Sequence, residues 1–258
     1  MSKYEKLGYR ADIDGLRAIS VIAVILFHAG LITTGGYIGV DVFFVISGFL
    51  ITNHIYCDLQ KNTFSLQAFW QSRIRRIWPA VTAMTIVVLA VGLLFFFPNA
   101  YEQLAEDSIA QLCMVANYQF LETIDYFAIQ AELRPLLHTW SLAVEEQFYI
   151  VFPIVLLAIW KYARQWLMFW LLCIAGASFA YSVWQVNIDP ASTFYLLPTR
   201  AWELLMGSIL AVANLPLIRN KLIVFGLSLL GLGLVVIPMF AYDATTVFPG
   251  LSALYPCL

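Results

Sequence analysis

Apolar residues fill seven runs of membrane-crossing length, near 16–34, 37–57, 78–98, 142–160, 166–186, 196–213 and 222–241. Each approaches the roughly 17–25 residues a helix needs to traverse hydrocarbon. The polar loops between them are sorted by charge. Lys3, Lys6 and Arg10 precede the first run, Lys61, Arg73, Arg75 and Arg76 follow the second, Lys161 and Arg164 the fourth, and Arg219 and Lys221 the sixth. Basic residues in short loops mark the cytoplasmic side, so all of these loops fall on one face and the N-terminus lies inside. The opposite face receives TTGG, the segment 99–141, VNIDPAS and YDATTVFP, which together hold one basic residue, Arg134. The pattern predicts an all-α, polytopic transmembrane bundle of about seven to eight crossings.

Four stretches need separate treatment. Residues 104–121 are helical in pattern but begin with Glu106 and Asp107, which predicts an interfacial or re-entrant helix that does not cross. Residues 58–77 alternate aromatic and basic side chains, as a helix lying on the cytoplasmic surface would, and Pro79 suits the first turn of the helix after it. Gly226, Gly231 and Gly233 in the last run predict a close helix contact. After Pro249 the stretch GLSALYPCL is apolar but too short to span, so the final helix is expected to be incomplete.

Composition narrows the class. With 62% hydrophobic and 12% charged residues, the chain is far more apolar than a soluble domain. A net charge of −2 and the lack of a basic cluster on a polar segment argue against nucleic acid as partner. Cys57, Cys113, Cys173 and Cys257 are scattered without metal-like spacing and read as small packing residues. The first apolar run has no small-residue cleavage site, which predicts a retained helix and not a signal peptide.

Chemistry is concentrated where charge enters the apolar runs. Arg17 and His28 are eleven residues apart, a rotation of about 1100°, so they share one helix face to within roughly 20°, with His28 roughly 16 Å further along. Asp14 can pair with Arg17 at i,i+3. Ionisable groups at membrane depth usually face a bundle interior or a wet cavity; alternatively, Arg17 is a snorkelling anchor and His28 a packing residue. A second cluster is HTWSLAVEEQFY at 138–149. His138, Ser141 and Glu145 lie on one face, with Glu146 about 100° away. A His beside a Glu can serve as a general base with its orienting acid; a polar helix start among belt aromatics is the structural alternative. Arg73, Arg75 and Arg76 form a third cluster, suited to phosphate or to topological anchoring. In the fourth, RAWELLMG at 200–207, Arg200 and Glu203 at i,i+3 favour a structural ion pair. His54 and Asp58 form an H-x-x-x-D string that reads as chance. There is no G-x-S-x-G elbow around Ser47 or Ser141, no P-loop and no G-x-G-x-x-G.

Taken together, Arg17 with His28, GYIGVDVFFVISGFLI at 36–51, RIRRIWP at 73–79, WSLAVEEQFY at 140–149 and RAWELLMG at 200–207 resemble the acyltransferase-3 family of bacterial membrane O-acyltransferases. The second cluster is most similar to the branch that acetylates lipopolysaccharide O-antigen or peptidoglycan. The resemblance implies a multi-pass protein of the bacterial cytoplasmic (inner) membrane. It implies transfer of an acyl group, usually acetyl, from cytoplasmic acyl-CoA to a hydroxyl of a periplasmic or cell-surface saccharide, with no metal. Arg17, Arg73, Arg75 and Arg76 would hold the CoA end. His28 would be the base or acyl relay, deeper in the membrane than Arg17, and Glu145, towards the outside, would activate the acceptor hydroxyl or orient a partner. Asp41, Ser47, His138, Ser141, Arg200 and Glu203 would line the substrate path. Family membrane domains have about ten helices, and many members carry an SGNH-type domain. Residues 1–258 are thus expected to form one transmembrane domain, incomplete at its C-terminus. An inactive fragment, or a transporter or scaffold without acyl transfer, is the competing expectation.

Overall fold

The computed structural model describes residues 9–31, 34–123, 134–213, 215–216, 218–243 and 245–258; Lys3 and Lys6 lie outside them. Every regular element among these residues is helical. In order they are α1 (Ala11–His28), α2 (Gly39–Gln60, entered through a 3-10 turn at Gly36–Ile38), α3 (Leu66–Phe95), α4 (Pro98–Leu112), α5 (Ala116–Thr123), α6 (Thr139–Ala163), α7 (Leu167–Gln185), α8 (Pro190–Tyr195), α9 (Leu197–Val212), α10 (Lys221–Ala241) and α11 (Leu254–Cys257). Each of the seven apolar runs contains a helix. Gly36–Gln60, Leu66–Phe95, Thr139–Gln185 and Lys221–Ala241 are long and apolar enough to cross a membrane, and the third of these contains two successive helices. The chain is an all-α membrane bundle.

Local chemistry sets the helix ends that matter for the site. The first run was expected to stay helical to residue 34, but α1 stops at His28. Gly30 adopts φ +64°, the amide of Leu31 reaches the Leu26 carbonyl at 2.9 Å, and that of Gly30 reaches the Phe27 carbonyl at 3.1 Å. This glycine-terminated cap satisfies the last carbonyls and leaves His28 as the final helical residue, at the rim of the bundle. At the other end of the site, Ser65 caps α3 by accepting from the Ala68 amide at 3.3 Å.

The expected break at Pro79 does not occur. α3 runs unbroken through it for 30 residues, about 45 Å, well beyond a hydrocarbon core of about 30 Å. A proline inside a helix removes its own N–H, the one that would reach the Arg75 carbonyl, and crowds that carbonyl; the turns on both sides nevertheless carry the helix across that gap. Residues 66–77, with their arginines, therefore extend the same helix past the apolar part.

Residues 104–121 do not form one helix. α4 and α5 are separated around Met114, whose φ is +57°, and at 15 and 8 residues neither can span. Asp107, Ser108, Gln111 and Asn117 are buried, whereas Glu102, Glu106 and Glu122 are exposed. The Arg134 side chain bonds both carboxylate oxygens of Asp107 at 2.5 and 2.7 Å, and the Gln147 amide donates to the Met114 carbonyl at 3.1 Å.

The helices that build the core are α2 and α9, which run in the same direction: Asp41, Gly48 and Thr52 meet Arg200, Leu204 and Ser208 in turn. A methyl group on Gly48 would lie 1.8 Å from the Leu204 carbonyl oxygen, and one on Gly207 would lie 1.9 Å from that of Val45. Only glycine permits this approach. The close-contact glycines are thus not the ones expected: a Cβ on Gly226 or Gly231 would meet nothing within 4 Å. α10 is an edge helix whose Leu222, Phe225, Leu229 and Leu230 are exposed. Gly207→Val is expected to lose nearly all folded protein, because the two backbones must separate; Gly231→Val is expected to leave the yield unchanged. Fluorescence-detected size exclusion in mild detergent measures both.

Candidate functional site

Between α1, α2, α3 and α6 lies a cavity of about 470 Å³. Its wall includes Arg17 from α1, Ser47 and His54 from α2, Arg73 and Arg76 from α3, and Glu145 and Tyr149 from α6. Helical spacing explains which arginines enter. Arg73 and Arg76 are one turn apart on one face, whereas Arg75 is about 200° from Arg73 and is exposed on the far side. Three guanidiniums thus line a space in which Glu145 is the carboxylate. The Tyr149 hydroxyl donates to Glu145 Oε1, and the Tyr149 main chain is held in turn. Pro153 deprives the Tyr149 carbonyl of its helical donor, and the Trp70 indole N–H fills the vacancy at 3.0 Å. An α3 side chain therefore fixes the part of α6 that carries Glu145.

A second cavity, of about 180 Å³, follows along α1, α2 and α6, lined by Val21, His28, Val40, Phe43, His138 and Ser141 among others. The rings of His28 and His138 meet edge to face, 4.1 Å between centroids. His28 Nδ1 lies 2.8 Å from the Val24 carbonyl oxygen. A carbonyl can only accept, so Nδ1 carries the hydrogen and Nε2 is the basic nitrogen of the neutral ring. His138 precedes the first turn of α6. Burial, then the neighbouring His28, push its pKa down to about 4, so its ring is neutral near pH 7.

Asp41, Arg200 and Glu203 line neither cavity. All three are fully buried. One guanidinium nitrogen is 3.1 Å from Asp41 Oδ1 and another is 2.9 Å from Glu203 Oε1. The rings of Phe44, Trp140, Phe194 and Phe248 surround the guanidinium carbon at 5.4–5.7 Å, a cation–π enclosure. Asp41, Glu203 and Cys257 bring ligand atoms within 4.8 Å of one another, but Arg200 already supplies the cation between the two carboxylates. The i,i+3 spacing had indicated the Arg200–Glu203 pair; Asp41 joins it only through the close packing of α2 and α9.

The order along the bundle also differs from the one read in the sequence, where His28 lay deep and Glu145 towards the outside. His28 stands at the rim with His138. Glu145, seven residues into α6, sits about 10 Å further in, among the arginines. Tyr149 and His54 were not singled out as site residues. Tyr149 is one turn from Glu145, a spacing that could have found it.

The helices of this membrane bundle thus wall a cavity with guanidiniums at one end and an imidazole pair beyond the other. The chain belongs to the family whose model is described as an acyltransferase domain, which matches residues 10–257. It is 40% identical over 211 residues to the peptidoglycan O-acetyltransferase OatA of Listeria monocytogenes, covering 79% of this chain and 34% of that protein. It is 35% identical over 219 residues to the O-acetyltransferase OatA of Staphylococcus aureus, covering 83% and 36%. The chain thus spans about a third of the length of the curated relatives it matches. No solved structure is a significant match.

Proposed function

We propose that this chain is the membrane part of an O-acetyltransferase that takes acetyl from acyl-CoA at the cytoplasmic face and delivers it to a saccharide hydroxyl on the other side. Peptidoglycan, named for the Listeria relative, is the first acceptor to test. The observation that carries the reading is the succession of the two cavities along α1, α2 and α6, with Arg17, Arg73 and Arg76 at one end and His28 with His138 at the other. Guanidinium forks suit the phosphates of a CoA donor. The acyl end then extends towards His28, whose Nε2 accepts the proton of the incoming hydroxyl. Atoms balance simply: the acceptor oxygen bonds to the acyl carbon, the thioester C–S bond breaks, and the thiolate leaves towards the arginine end and takes up a proton. Glu145, fixed by Tyr149, lies between the arginines and the acyl end and serves to orient the donor. Ser47 and Ser141 offer hydroxyls along the way. A separate SGNH-type domain would act on the far side as the partner that presents the saccharide.

Inside-out membrane vesicles loaded with cell-wall fragments and supplied with labelled acetyl-CoA test this. Label should enter the saccharide fraction. Arg73→Gln with Arg76→Gln should raise the KM for acetyl-CoA roughly 100-fold, since two charge-assisted contacts of about 1.5–3 kcal/mol each are lost. A chain that inserts and folds but never transfers label from acetyl-CoA overturns the proposal.

A further inference from the structure

The inner end of the large cavity holds a residue that the mechanism above does not use. His54 of α2 lines the cavity opposite Arg73 and Arg76. It also lines a separate chamber of about 120 Å³ bounded by Asp58, Thr63, Ser65 and Ser72 among others. Its Nε2 lies 3.6 Å from Asp58 Oδ2, one helical turn away. The string H-x-x-x-D thus places a carboxylate beside an imidazole at the boundary between two polar spaces. The Ser65 hydroxyl, which accepts from the Ala68 amide, keeps its own hydrogen available to a guest. At roughly 30 Å³ per water, the chamber has room for one tetrahedral oxyanion.

The walls offer phosphate-binding donors in two unequal groups. Arg73 and Arg76, one turn apart on α3 with Arg17 facing them from α1, form a set of forks matched to linked phosphates. His54 stands apart on α2, a single site matched to a lone phosphate. A CoA donor carries both kinds of group, a diphosphate and a separate ribose 3′-phosphate. We infer that His54, held by Asp58, is a second anion subsite that receives the phosphate the donor carries apart from its diphosphate. The inference rests on the acyl-CoA reading. It makes His54 a binding and specificity residue and Asp58 a positioning residue.

Equilibrium binding of tritiated acetyl-CoA and of 3′-dephospho-acetyl-CoA to the detergent-solubilised chain separates the possibilities. The wild type should prefer acetyl-CoA about tenfold, as expected for one charge-assisted hydrogen bond. His54→Gln should lose that preference by weakening acetyl-CoA about tenfold while leaving the dephospho donor unchanged. Equal weakening of both donors, or of neither, overturns the subsite. Asp58→Asn should weaken acetyl-CoA severalfold with the same selectivity; tighter binding would mean that Asp58 merely repels the phosphate, and would overturn its role. Binding of both donors equally by the wild type removes only the subsite, whereas binding of neither removes the acyl-CoA reading as well.

Discussion

Alanine in place of His28 is expected to lower acetyl transfer by roughly 10² to 10⁴, the usual contribution of a positioned base, without changing the amount of folded protein. The two halves of this expectation come from different features. His28 is the last residue of α1 and is exposed at the rim, so its removal opens no buried cavity. Its Nδ1 is committed to the Val24 carbonyl at 2.8 Å, which presents Nε2 as the proton acceptor. His28→Gln keeps hydrogen-bonding capacity but has no nitrogen basic enough to take a proton, so it should be nearly as inactive as His28→Ala. His138→Gln should retain more activity, because a neutral neighbour that packs against His28 at 4.1 Å positions the base without replacing it. The measurement is acetyl incorporated into cell-wall saccharide at matched protein levels. Full transfer by His28→Ala would remove the proposed base and, with it, the direction assigned to the reaction.

The helices were largely legible because hydrocarbon demands long apolar runs with every backbone group satisfied internally, and that demand is written in composition. What escaped were features decided by single residues. The stop of α1 depends on the φ of Gly30, and the continuity of α3 on how a long helix tolerates Pro79. The tightest helix contact depends on Gly48 and Gly207, which sit in two motifs noted for other reasons. Glycines on α10 looked equally suited to packing, since a sequence gives the spacing of small residues but not the face that meets a neighbour. The site was legible as separate clusters, because ionisable residues in apolar runs are few. Their grouping was not. Arg17 shares a cavity with Arg73 and Glu145, and His28 meets the ring of His138, although these residues are far apart in the chain. Depth was misread for a related reason: a motif gives the order of residues along one helix, not the level at which that helix enters the bundle. His54 was set aside because Asp58 lies one residue past the end of the second apolar run, and the cavities beside the pair are what draw attention to it.

The buried triad gives the largest structural effect. Arg200, Asp41 and Glu203 are fully enclosed, with the guanidinium 2.9–3.1 Å from one oxygen of each carboxyl. Arg200→Ala would leave two carboxyl groups facing each other in a space walled by four aromatic rings, without the cation that lies between them. Breaking a buried ion pair by removing one partner costs about 3–5 kcal/mol, a large share of the 5–15 kcal/mol, roughly, that holds a typical fold. The folded yield of Arg200→Ala in detergent should therefore collapse. Arg200→Lys should recover only part of it, because one ammonium cannot match two carboxyls as a planar fork does. The triple variant Asp41→Asn, Arg200→Met, Glu203→Gln removes all three charges at nearly constant volume and should fold far better than Arg200→Ala, since replacing a complete buried ion cluster by uncharged groups is often neutral. Its activity then separates two roles for the triad. A triple variant that folds and still transfers acetyl makes the cluster a device for joining α2 to α9. One that folds but is inactive gives the cluster a role in the reaction beyond joining the two helices.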